Sequence, residues 1–572
     1  MNIDDIAAAP RPIDPARLEA WEIAMLTREF DRPSSQEFDH FGDTRTFDAP
    51  GFADVIVVGG GLAGLTAAWR MEGFDVTLLE EGRNVGGAAR FERHGELRFP
   101  TAASCLQSPA PDGRVAELLK DLGLWGSWRS TSDDLLVLFK TGDLIGNLGV
   151  VSHAFLSHPA SLMNPKVYRL TGSLIGAALS GQAYVAAEKR LGDPIFAHLN
   201  AYLARLAPGK GRYPSIPWKP ADGWSRAEME QFDSVTLEQL LSDARLRETL
   251  PPDLRPPKNL DNLVRDAIVT TLQVESLTLD DVSGYVGLHF LIGYLYGELV
   301  AFPGGNGFVT ERLRERLELR ESFRCVNGAK VTSIRSHGAD RYRVTFQRDG
   351  REHVVEARAV VWAASKHAAL KAIHDLPSAQ RAAMAEIEYG DYIVANVILK
   401  QPVWGDRFGA YIIAGKDEAA PMGWCRIGGC ISANWLDPTQ SHPGGVLTLL
   451  KPVSRRDNTG RLAKVAFRDL QETARAEVSD ILACAGVPPQ AVEDIRLWLW
   501  PKGLVSPRPG QMKSDLFRRA SAPFGRMVFA NQDTYGVGNF ESAVGAGLDA
   551  AERLKMALGA TSVPLSAEFS MV

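Results

Sequence analysis

DVIVVGGGLAGLTAAWRMEGFDVTLLE, residues 54–80, divides into three parts. DVIVV is a short continuous apolar run, the pattern of a strand buried on both faces of a parallel sheet. GGGLAGLTAAWRMEGF is a glycine turn opening into an Ala- and Leu-rich helix, and DVTLLE is a second buried strand. Gly59, Gly61 and Gly64 form G-x-G-x-x-G directly after the first strand. The first glycine permits the tight turn, the second lets backbone approach a pyrophosphate, and the third allows close helix-to-strand packing. The helix start, with Leu62 and Ala63, offers free N–H groups and a partial positive charge to phosphates. Glu80 ends the second strand, where an acid accepts hydrogen bonds from a ribose. Strand, turn, helix and acid in one register predict a dinucleotide site.

The rest of the chain sets limits on that reading. At 572 residues it has length for about three or four domain-sized units. With 45% hydrophobic and 23% charged residues it has the composition of a globular protein with a large core. Lys and Arg number 63 against 69 Asp and Glu, a net charge of −6, and no basic stripe is present, so nucleic acid is not an expected partner. Five scattered cysteines and an acidic, Pro-containing N-terminus without a cationic start and apolar run point to a reducing, cytoplasmic setting. YVGLHFLIGYLYGELVAF (285–302) is interrupted by His289 and Glu298 and reads as a buried helix, with those two as a satisfied polar pair or as substrate anchors. Pro15–Phe30 has the pattern of an amphipathic helix, and residues 112–299 are mostly helical in pattern. CVNGAKVTSIRS, RYRVTFQRD and EHVVEARAVVWAA read as a β meander returning to the main sheet.

Three further stretches carry a family resemblance. EEGRNVGGAAR (80–90) resembles the acidic, Gly-Gly-Arg segment of the flavin-containing amine oxidase superfamily, which also takes in protoporphyrinogen oxidases and phytoene desaturases. AFPGGNGFVTERLRERL and VNGAKVTSI (301–334) resemble its Pro-Gly-Gly turn, helix and strand. GRMVFANQDTYGVGNFESAVGAGLDAAERL (525–554) resembles its C-terminal flavin motif. The resemblance implies FAD as cofactor. It also implies an α/β fold in which a Rossmann-type, GR2-like FAD-binding domain is interleaved with a mixed α+β substrate domain. Residues 54–111, 300–366 and 501–556 would form the discontinuous FAD domain, and 112–299 with 367–500 the substrate domain. Residues 1–53 would be an N-terminal extension and 557–572 a tail. Cofactor contacts would come from Glu81, Gly87, Ala88 and Arg90, from backbone near Val331 at the adenine, and from Gln532, Asp533, Glu541, Ser542 and Ala543 at the flavin end.

Departures from the family pattern sharpen the chemistry. Where the family has Gly-Glu, this chain has Asn531-Gln532, so a ribityl contact falls to the Gln532 amide or to Asp533. ANVILKQPVWGD resembles the strand whose lysine holds a water at the flavin in many amine oxidases, and puts Asn396 at that position. Of the tryptophans Trp404, Trp424, Trp435, Trp498 and Trp500, which the resemblance places around the substrate, Trp500 joins Asn396 as a candidate catalytic residue. The turn 533–538 has no cysteine, which implies a non-covalent flavin. No H-E-x-x-H, C-x-x-C, P-loop or GxSxG occurs, and Cys425 with Cys430 suit core thiols, so no metal is expected. The resemblance thus implies two-electron oxidation of a small, apolar amine or amino-acid-like substrate, with the flavin reoxidised by dioxygen or another acceptor. Dehydrogenation of a C–C bond, with the helical 160–300 region on a membrane surface, and redox-neutral isomerisation stay open, as does self-association into an oligomer.

Overall fold

The structure is a computed structural model that describes residues 46–131, 135–139, 144–145, 194–257, 262–338, 340–402, 409–413, 429–438, 443–453 and 489–559. The expected helix at Pro15–Phe30, Trp404, Trp424 and Cys425 lie outside the described residues.

Strand β1 (Phe52–Val58), helix α1 (Leu62–Arg70) and strand β2 (Val76–Glu80) realise the unit read from residues 54–80. The apolar helix α2 (Gly284–Tyr296) follows a run of helices, and α3 (Gly307–Glu318) leads into β3 (Phe323–Asn327), β4 (Lys330–His337), β5 (Arg341–Arg348) and β6 (Arg351–Trp362). These strands form one sheet in the order β3-β2-β1-β6-β5-β4. The first four are mutually parallel, with Val55 opposite both Val76 and Ala359. β6, β5 and β4 run antiparallel. The expected meander is therefore split. Gly328, with φ +68°, turns the chain after β3, so CVN joins the parallel edge beside β2 while AKVTSIRS starts the meander at the opposite edge.

The continuous apolar run in β1 has a simple cause: both faces are covered. Val55 and Val57 pack with α1 on one side, whereas Ile56 and Val58 pack with Val360, Trp362 and Ala369 on the other. All four are buried, each such side chain contributing about 1.5–3 kcal/mol.

A second sheet also has seven strands. Its strand β7 (Tyr389–Leu399), buried along all 11 residues, lies antiparallel between β8 (Gly445–Val453) and β9 (Val492–Val505). Beyond β8 come Gly429–Ser432, Gly409–Ile413, Leu135–Phe139 and Leu144–Ile145. The chain then returns to the first sheet, where β10 (Met527–Phe529) lies parallel to the end of β6, with Val528 opposite Val361. Helix α4 (Phe540–Ala557) finally packs across α1, and the approach is close: a Cβ on Gly547 would lie 2.5 Å from the Ala63 carbonyl oxygen.

Helix α2 is buried in a helical cluster with Leu203, Phe232 and Leu240, as an all-apolar helix requires. No helix among the described residues is long and apolar enough to cross a membrane.

Candidate active site

A cavity of about 510 Å3 opens where the carboxyl ends of β1, β2 and β6 meet the N-termini of α1 and α4. The end beside α1 is shaped by glycine. Gly59 has φ +101°, and a Cβ there would lie 3.0 Å from the Ala364 nitrogen. Gly87, with φ +56°, crosses Gly61 so closely that a Cβ would lie 3.0 Å from the Gly61 Cα. The Gly86 N–H donates to the Gly60 carbonyl at 2.6 Å and locks that crossing. Gly59, Gly61, Leu62, Ala63, Glu80, Glu81, Gly87, Ala88 and Val331 all line this end. The Glu80 carboxylate accepts from the Gly60 N–H at 2.6 Å and the Gly82 N–H at 2.7 Å, which orients it while leaving acceptor capacity for hydroxyls. This set suits a dinucleotide: a left-handed glycine turn, a helix N-terminus free of side-chain caps and an oriented acid on one wall.

Gln532, Asp533, Glu541 and Ala543 line the opposite end beside Asn531. The Gln532 amide donates to the Gly503 carbonyl at 2.6 Å. Asp533 is held from behind: the fully buried Lys366 ammonium donates to its Oδ1 at 2.7 Å and the Tyr389 hydroxyl to its Oδ2. Lys366 also donates to the Asn531 amide oxygen. Burial lowers the Lys366 pKa, opposed by the charge of Asp533. Sequence reasoning missed this lysine, although its place at the start of a helix directly after β6 was a signal that it could reach the same end of the sheet.

The third wall is acidic and aromatic. Glu275 accepts from the Tyr294 hydroxyl, and Glu541 accepts from the Gln107 N–H at 2.8 Å. Burial, opposed by the Tyr294 hydrogen bond and reinforced by the charge of Glu541, pushes the Glu275 carboxyl up to about 7. Burial also raises Glu541. Burial and the two acids push the Cys105 thiol up to about 12, so it stays a thiol at neutral pH. His289 has Nδ1 2.9 Å from the Pro214 carbonyl, and burial lowers it to about 4, leaving a neutral ring. Phe290, Tyr392, Leu450 and Trp500 complete the wall.

Raising an acid's pKa on folding favours its protonated form, so the associated stability is full below the unfolded value and fades as pH climbs through about 7. Between pH 5 and 8 the thermal midpoint of the wild type should fall more steeply than that of Glu275→Gln, by about 2 °C. Parallel slopes in a melting series across that range would remove Glu275 as the cause.

Four expected site residues lie behind the wall. Asn396, on β7, is fully buried away from the cavity: its amide donates to the Pro100 carbonyl at 3.3 Å and its oxygen accepts from Thr448 at 2.7 Å. Tyr392, four residues earlier on the same face, takes the cavity position, because the segment ending at Pro100 covers the strand from Asn396 onward. Arg90 turns under the glycine crossing, donating to the Gly87 carbonyl at 2.9 Å with its guanidinium 5.5 Å from the centre of the Trp498 ring. Gly64 lies under the turn and Ser542 donates its N–H to the Asn539 side chain in the first turn of α4; neither lines the cavity. Trp500 does, with its indole N–H on the Thr101 carbonyl at 2.9 Å and its ring stacked 6.1 Å from Trp498. Trp435 and Trp498 are core. Glu298 is exposed, so it forms no buried pair with His289. Cys430 is a buried thiol, and no group of three metal-binding side chains occurs among the described residues.

Residues 62–555 match the sequence profile of a family described as flavin containing amine oxidoreductase. Oxidoreductase PigB of Serratia sp. is 40% identical over 506 residues, which cover 88% of this chain and 75% of that protein. Cyclohexylamine oxidase from Brevibacterium oxydans shares the fold with a TM-score of 0.55 at 17% identity, covering 89% of this chain and 99% of that one. A fatty acid isomerase from P. acnes does so with a TM-score of 0.56 at 16% identity, covering 88% and 99%.

Proposed function

Since the chain belongs to the flavin-containing amine oxidoreductase family, we propose that it holds FAD without a covalent link and removes two electrons from a small, mainly apolar amine or amino-acid-like substrate. The observation that carries this reading is the single cavity onto which the glycine turn, the N-terminus of α4 and the aromatic wall all open. Backbone around Gly59–Ala63 and the α1 dipole would hold the phosphates, Glu80 the ribose and Val331 the adenine edge. Gln532 and the start of α4 at Glu541 and Ala543 would take the flavin end. The bound flavin would supply the acceptor for the electron pair, as a hydride, and pass it to dioxygen or another acceptor. Tyr392, Leu450, Phe290 and Trp500 exclude water and orient the bond to be oxidised. His289, neutral at physiological pH, adds no competing positive charge. The acidic wall supports a basic substrate over the alkene of a C–C dehydrogenase or an isomerase.

Anaerobic mixing of the yellow protein with a panel of amines should bleach the flavin band, and admission of air should yield hydrogen peroxide when dioxygen is the acceptor. Bleaching by alkenes alone would replace this reading with C–C chemistry. Acid precipitation should leave FAD in the supernatant; flavin retained in the pellet would show a covalent link.

A further inference from the structure

We infer that Glu275, Glu541 and Asn306 form a recess in this cavity that holds a protonated nitrogen of the ligand, an ammonium or iminium group. The inference deepens the amine reading above and rests on the cavity being the substrate site.

Two carboxyls share one wall, and among the described residues neither lies within 4 Å of a Lys or Arg nitrogen. Each has one oxygen engaged by a neutral donor, the Tyr294 hydroxyl for Glu275 and the Gln107 N–H for Glu541. A carboxylate has about four lone-pair sites, so both retain acceptor capacity toward a ligand. Their mutual repulsion, visible in the upward push of Glu541 on Glu275, is relieved by a cation between them.

Asn306 supplies an independent sign. It lines the same cavity at 0% exposure, and its amide nitrogen donates to the Cys105 carbonyl at 2.9 Å. That bond fixes the orientation, because a flipped amide would set oxygen against oxygen. Among the described residues the remaining Oδ1 has no hydrogen-bond partner, a state that buried acceptors rarely keep. Cys105 links the groups in space: its carbonyl holds Asn306, and its thiol feels both Glu275 and Glu541. Three acceptors around one thiol that stays neutral ask for a donor carrying positive charge. A protonated nitrogen is such a donor; an alcohol or an alkene is not.

Calorimetry on the flavin-loaded, full-length protein tests this with tert-butylammonium against tert-butanol. The nitrogen-bearing carbon of the first has no hydrogen to lose, so binding is read without turnover. The ammonium should bind at least tenfold more tightly than the alcohol, and Glu275→Gln should weaken the ammonium at least tenfold while leaving the alcohol unchanged. Flavin content checks that the variant is folded; should Glu275→Gln lose its flavin, Asn306→Leu should weaken the ammonium at least threefold. Equal affinity for the two probes, absent ammonium binding, or variants that bind it like the wild type would overturn the recess. Selective ammonium binding in a protein whose flavin no amine reduces would refute amine oxidation and uphold the recess. Flavin reduction by amines without ammonium selectivity would do the reverse.

Discussion

Gly64→Ala yields a colourless protein. A Cβ at this position would lie 2.0 Å from the Gly59 carbonyl oxygen and 3.1 Å from the Ala363 Cβ. The first contact is with backbone, so no side chain can swing aside to relieve it. Either α1 moves away from β1 or Gly59 moves, and both open the turn that the phosphates require. Overpacking of this kind costs about 1–3 kcal/mol, and a loss of 3 kcal/mol in cofactor binding is about a hundredfold. The 450-to-280 nm absorbance ratio should fall below about a tenth of wild type, reflecting that hundredfold loss. Gly51→Ala is the control: its Cβ meets nothing within 4 Å, and it should stay yellow. A Gly64→Ala protein with full flavin content would show that the turn tolerates a methyl group and refute the close packing.

The second large effect is expected at Lys366, behind the opposite end of the cavity. Its ammonium and the Asp533 carboxylate have side-chain exposures of 0% and 2%. Lys366→Met removes the charge and two hydrogen bonds at once, leaving Asp533 buried with the Tyr389 hydroxyl and the Lys366 backbone N–H as its remaining donors. Breaking a buried pair from one side costs about 3–5 kcal/mol. Adding Asp533→Asn should restore most of that, because an amide tolerates burial with neutral partners and a lone carboxylate does not. Urea unfolding of both variants measures the difference. If Lys366→Met alone unfolds within about 1 kcal/mol of wild type, well short of the cost of a broken buried pair, then the pair does not hold the site together.

The glycine-turn half of the cavity was legible because it depends on backbone. Gly59, Gly64 and Gly87 leave no room for a Cβ against neighbouring backbone, and Glu80 ends a strand beside them. The α4 end was legible from the likeness of residues 525–554 to a family motif, whose small residues fall in the first turns of the helix. The substrate half was not. Asn396 was placed by the likeness of ANVILKQPVWGD to a family strand, and that likeness does not reveal that the segment ending at Pro100 covers that part of β7. Glu275 and Asn306 come from two turns more than 230 residues from Glu541, and no period or spacing joins them. Lys366 drew no reading from the sequence, because solvation is the ordinary fate of a lysine and only tertiary packing buries this one. The β3 error has the same root: one glycine with a left-handed φ sends three residues to the other edge of the sheet.

The position of β10 bears on how the protein is made. It pairs with residues 360–362 of β6, yet it is encoded at 527–529, and α4, which brings Glu541 to the cavity, follows it. A chain emerging from the ribosome therefore displays the whole glycine turn while the other bank of the cavity is still untranslated. Contacts of such long sequence separation form late. A product ending before Met527 should therefore carry the dinucleotide fingerprint and still emerge without colour.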